Sequence, residues 1–158
     1  MPLEPQTDRQ YAYLSIIGTG PSSRITEILG LQPDDEWSEG DVEVRQGREK
    51  IRHFTNWKRS SGLRDTEDLN AHIRALLHQV DFNRRPKLMS LLGDYDVKVV
   101  CVSYTWQCFS FELDFRLQRE LTQLGIRTWF DAYIDGDVHE MMHDFKSLHG
   151  RDAGNLED

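Results

Sequence analysis

The stretch Asp96–Ile134, DVKVVCVSYTWQCFSFELDFRLQRELTQLGIRTWFDAYI, holds the densest apolar and aromatic content of the chain. It reads as strand, strand, helix, strand. Val97, Val99 and Cys101 face one way, and Val100, Val102 and Tyr104 the other. Apolar side chains on both faces mark a strand in the middle of a sheet. Thr105, Trp106 and Gln107 read as a turn. Phe109, Phe111 and Leu113 then alternate with Cys108, Ser110 and Glu112, the pattern of a half-buried strand. Asp114 is placed to cap a helix whose Leu117, Leu121 and Leu124 share a face, and Gly125 ends it. Thr128–Ile134 is the last strand.

The rest of the chain supplies the layers around that stretch. Tyr11–Gly18 is rich in aromatic and branched residues, stops at glycine, and reads as a strand. Ser22 or Ser23 can cap a following helix with Ile25, Ile28 and Leu29 on one face, closed by Gly30 and Pro33. Asp34–Gly40 is a polar loop containing Trp37. Val42 and Val44 form an exposed strand, Gln46-Gly47-Arg48 a hairpin turn, and Ile51–Arg59 a second strand with Ile51, His53, Thr55 and Trp57 on one face. Asp65 caps the longest helix, with Asp68 as a capping-box-like partner and Leu69, Ile73, Leu76, Leu77 and Val80 as its apolar stripe. Asn83 and Pro86 start a further helical segment carrying Leu88, Leu91 and Leu92. The order β-α-β-β-α-β-β-α-β predicts an α+β two-layer sandwich. It has a single, mostly antiparallel sheet of about six strands with helices packed on one face. Residues 1–10 read as a loose terminus, 11–134 as one domain, and 135–158 as a polar extension, partly mobile.

A chain of 158 residues, 38% hydrophobic and 29% charged, suits one domain with one core. No apolar run is long enough to span a bilayer, and the N-terminus lacks the basic start and apolar core of a signal peptide. A cytoplasmic location is expected, and Cys101 and Cys108 accordingly read as free thiols. With 19 Lys and Arg against 27 Asp and Glu, the net charge is −8. An acidic molecule repels phosphate backbones and acidic lipid, so nucleic acid and membrane are excluded as partners and a basic protein is favoured.

Few residues carry a pattern that points to chemistry. His139, Glu140 and His143 match the zinc-protease pattern H-E-x-x-H, with His149 six residues later. Lys146 stands where that pattern needs a turning glycine, and the motif falls in the polar extension, so a solvated helix is the preferred reading and no metal is assigned. The Gly18–Ser23 turn lacks the third glycine of a nucleotide loop and reads as turn plus helix cap. Asp131 lies mid-strand with Trp129 and Tyr133 on its face. A carboxylate there needs a partner or solvent, and it can anchor an aromatic pocket formed with Tyr133, Trp57 and Trp37. His53, His72 and His78 read as incidental, with His72 and His78 at the surface.

In order along the chain, Ile25-Thr26, Leu29-Gly30-Leu31, Pro33, Trp37, Gly40-Asp41, Trp57, the Leu69–Leu77 stripe, Leu124-Gly125, and Asp131 with Tyr133 form a set. That set resembles the bacterial family known as domain of unknown function 4279, over roughly residues 11–134. The resemblance implies a small α+β domain and carries over no catalytic residue and no cofactor. The expected function is a non-enzymatic binding module, for example an inhibitor or immunity-type protein for a basic partner. A zinc hydrolase built on residues 139–143, or small-ligand binding in the aromatic pocket, are the alternatives.

Overall fold

The computed structural model describes residues 8–105 and 108–134. The motif at His139, Glu140, His143 and His149 and the Trp106–Gln107 turn lie outside the described residues. The α+β class holds. Strands β1 (Arg9–Gly18), β2 (Asp35–Trp37), β5 (Thr55–Ser60), β6 (Tyr95–Thr105) and β7 (Arg127–Ile134) form a five-stranded sheet in the order β2-β5-β1-β6-β7. β1 is antiparallel to both β5 and β6, β2 is antiparallel to β5, and β7 runs parallel to β6. Strands β3 (Val42–Arg45) and β4 (Arg48–Ile51) make a separate two-stranded hairpin.

Side-chain alternation assigns the two faces of the sheet. Ala12, Leu14 and Ile16 of β1, Trp57 of β5, and Val97, Val99 and Cys101 of β6 join one buried cluster with the helices. Helix α1 (Ser22–Leu29) adds Ile25 and Leu29, α2 (Leu69–Gln79) adds Leu69, Ile73, Leu76 and Leu77, and α4 (Phe115–Gln123) adds Leu117 and Leu121. Short α3 (Arg85–Leu88) and the turn after it add Leu88 and Leu91. Each fully buried aliphatic side chain contributes about 1.5–3 kcal/mol, so this one cluster holds the helices to one side of the sheet. Val100 and Val102 are also buried but stand outside that cluster, on the other face.

Helix ends follow the residues that cap them. Asp114 accepts from the Arg116 and Leu117 amides, and Gly30 and Gly125 take positive φ where their helices stop. Asp68, rather than Asp65, caps α2 by accepting from the Ala71 amide. α1 has no cap from Ser22 or Ser23. Ser38 reaches in from the chain after β2 and accepts the Ser22 amide at 3.0 Å.

Three segments differ from the sequence expectation. Ile51–Arg59 is two strands, because the chain bends at Arg52, whose amide and carbonyl bond to Asp41 and Gly40. That leaves Ile51 and His53 exposed on or beyond the small hairpin, while Thr55 and Trp57 are buried. Asp35–Trp37, read as a loop, is a short edge strand. Cys108–Leu113 is not a strand: β6, which precedes it, already has β1 and β7 on its two sides and so cannot form a hairpin with it. Its rings pack instead on β7, with Phe111 5.3 Å and Phe109 6.5 Å from the Phe130 ring.

Candidate functional site

The face of the sheet away from the helices carries a cleft. Register sets its floor row by row. Trp37 pairs with Asn56 and Asn56 with Ile17; Lys58 pairs with Ser15 and Ser15 with Lys98; Tyr13 pairs with Val100 and Val100 with Trp129. Val102 pairs with Asp131 in the next row. All of these but Val102, with Phe54 at the rim, line an open cleft of about 300 Å³. Beyond the cleft a run of tyrosines continues along the same face: Tyr13 to Tyr11 at 6.4 Å, Tyr11 to Tyr104 at 6.5 Å, and Tyr104 to Tyr133 at 5.2 Å.

Donors dominate the polar groups of this cleft. The Trp37 indole N–H and the Asn56 side-chain nitrogen are buried and have no hydrogen-bond partner among the described residues. Leaving a buried donor unpaired costs about 1–3 kcal/mol, and here two stand side by side in register. Lys58 holds its ammonium 5.4 Å from the centre of the Tyr13 ring and Lys98 5.5 Å from that of Trp129. Lys98 also pairs with Asp96 at 2.8 Å, which Arg127 shares; Lys58 has no ion pair among the described residues. Burial pushes the Asp96 carboxyl up, but the hydrogen bonds and charges of Arg127 and Lys98 outweigh that and the net shift is downward. Burial, with Asp131 and Tyr133 nearby, raises the Tyr13 phenol above its usual range, so it stays neutral. Asp131, the carboxylate lining the cleft, already accepts from the Trp129 indole at 2.8 Å. Arg52 lies 4.0 Å over the Trp37 ring, and Phe54 meets the same ring edge-on at 5.9 Å.

Of the four residues expected to form an aromatic pocket, Trp37 and Asp131 line this cleft, and Tyr133 stands one step beyond Asp131 on the same face. Trp57 does not join them. It points to the opposite face, is 0% exposed, and donates its indole N–H to Thr26 at 3.0 Å. The period-two alternation from Asn56 decides this, since Asn56 faces the cleft. Trp129 shares the face of Asp131 already by sequence parity, whereas Lys58, Lys98 and Asn56 join the cleft only through the register, which requires strand order.

Other features of the molecule are already satisfied or closed. A larger groove of about 630 Å³ runs between α3 and α4 under Phe82 and Phe115. Its Arg85 is tied to Glu120 and to the carbonyls of Leu77 and Val80, and none of the unpartnered buried atoms belongs to its lining. His72, expected at the surface, is fully buried and lies 2.5 Å from the Ser61 hydroxyl, while its Nε2 has no hydrogen-bond partner among the described residues. Ser61 is buried too, so no substrate reaches that hydroxyl. Both cysteines are free, and burial pushes the Cys101 thiol up to about 12. Among the described residues no cluster of three or more His, Cys, Asp or Glu could hold a metal, and no helix is long and apolar enough to cross a membrane.

The family model described as Domain of unknown function (DUF4279) matches residues 8–135. The chain belongs to that family. The DUF4279 domain thus takes in both faces of the sheet and the whole cleft, and residues 136–158 lie beyond it. No curated protein and no solved structure matches the chain.

Proposed function

We propose that this DUF4279 protein is a binding module without catalysis of its own, and that it binds a small ligand in the cleft on the sheet face that carries no helix among the described residues. The observation that carries this is the pair of buried, unpartnered donors, Trp37 Nε1 and Asn56 Nδ2, held side by side in a ring-walled cleft. A ligand that accepts from both would remove a penalty the free protein bears. Ligand sites combine an apolar wall with a few placed polar groups, and Tyr13, Phe54, Val100 and Trp129 supply the wall. Ser61 beside His72 and the Cys101 thiol are both buried, and the exposed Cys108 does not line the cleft.

The test is a thermal-shift panel of small metabolites on the wild-type chain, on Trp129→Ala, and on Phe115→Ala in the α3–α4 groove. A ligand at a hundred times its Kd adds about 2.7 kcal/mol of stability, a shift easily read. Stabilisation lost in Trp129→Ala and kept in Phe115→Ala is expected. Stabilisation lost only in Phe115→Ala would move the site to the groove, and a panel without any stabiliser would sink the proposal.

A further inference from the structure

The composition of the cleft goes further than the existence of a site and selects a ligand class; this step rests on the binding role proposed above. The two buried side-chain atoms of the cleft lining that have no partner among the described residues are both donors. Trp37 and Asn56 are adjacent across β2 and β5, so acceptor atoms of one ligand could meet both. Lys58 stands two residues along β5 from Asn56, on the same face; Asp35 of β2 lies opposite it in register, yet Lys58 forms no ion pair among the described residues. Lys98 adds a second positive charge from β6. The single carboxylate in the lining, Asp131, sits at the far end on β7 and is already engaged by Trp129. The two buried, unpartnered donors thus lie at the β2–β5 end, Lys58 and Lys98 stand between, and Asp131 is at the β7 end.

Between those ends the floor is short or apolar. Ser15 and Ile17 of β1 and Val100 of β6 lie flat, and the Tyr13 and Trp129 rings flank them. Such a slot suits a flat apolar body, and aromatic rings gain from offset or edge contacts with others. About 300 Å³ lies at the lower limit for small-molecule sites and suits one or two fused rings.

We infer that the ligand is a small aromatic carboxylic acid, bound with its carboxylate at Trp37, Asn56 and Lys58 and its ring over Ser15 and Val100. Charge-assisted hydrogen bonds are about twice as strong as neutral ones, so the ionised carboxylate carries most of the discrimination.

Calorimetric titration of the full chain with indole-3-acetate, indole-3-acetamide and tryptamine tests the class, since the three share a ring and differ in charge. The acid is expected to bind about tenfold or more tighter than the amide, the amine not measurably, and added salt to weaken the acid alone. Lys58→Met should bring the acid down to the affinity of the amide and leave the amide unchanged; Lys98→Met is the second variant should the first not fold. Equal affinity for acid and amide, or preference for the amine, would overturn the carboxylate assignment while leaving the cleft as a binding site. No binding of any of the three would overturn the ligand class, and whether the site itself survives is then read from the metabolite panel.

Discussion

His72 is the residue whose environment differs most from its place in the sequence. It sits on the apolar stripe of α2 between Leu69 and Leu76, and polar residues on such a stripe are ordinarily at its margin. Here the ring is enclosed, with Nδ1 on Ser61. Burial lowers its pKa below the ordinary 6.5, and backbone groups of Arg64, Glu67 and Gln10 and the Asp68 charge only partly oppose this. The folded state therefore resists protonation that the unfolded chain accepts. His72 stabilises the fold above about pH 6.5, and that contribution is lost as pH falls through the depressed folded-state pKa. Thermal melts from pH 7.5 down to pH 5 should show falling stability, with a shallower fall in His72→Gln. An equal slope in the variant would assign the acid sensitivity elsewhere.

At the scale of elements, the β1–α1 turn shows why glycines cluster there. A Cβ on Gly20 would overlap the Tyr95 hydroxyl, which donates to the Pro21 carbonyl at 2.9 Å, and a Cβ on Gly18 would overlap the Asp94 carbonyl. The turn is tight because β6 begins against it, not because it cradles phosphate. Gly20→Ala should destabilise by about 1–3 kcal/mol through overpacking, measured by denaturant unfolding; an unchanged midpoint would mean the turn relaxes freely. The helices were legible from sequence because a cap, a 3.6-residue stripe and a terminal glycine all agree at α4 and nearly so at α2. Strand membership was less so. Phe109, Phe111 and Leu113 alternate as a strand would, yet a hairpin with β6 needs a free edge of that strand, and the parallel return of β7 to β6 takes it. Conversely Asp35–Trp37 has no apolar alternation and becomes a strand only because β5 offers it an edge.

For the whole molecule, layering bears on the proposed binding more than charge does. Of the net charge of −8, five units fall in residues 135–158, which hold seven acidic and two basic side chains. The electrostatic ground for a basic partner thus lies mainly beyond the described residues, whereas the cleft carries Lys58 and Lys98 against Asp131. A two-layer fold leaves one sheet face without helices, and this chain places its tyrosine run, Trp37 and Trp129 there while sending Trp57 into the core. Sequence alone could name Trp37, Asp131 and Tyr133, but separating them from Trp57 required knowing which parity of β5 faces the helices.

That separation gives the most direct test of the sheet face as the binding surface. Indole N–H resonances of the nitrogen-15-labelled full chain, assigned by single Trp→Phe variants, would be followed through a titration with indole-3-acetate. Trp37 and Trp129 should move together and saturably, the Trp37 signal downfield as its unpartnered N–H gains an acceptor, while Trp57, across the sheet and bonded to Thr26, stays in place. Movement of Trp57 with Trp37 and Trp129 fixed would contradict the assignment of the open face as the site.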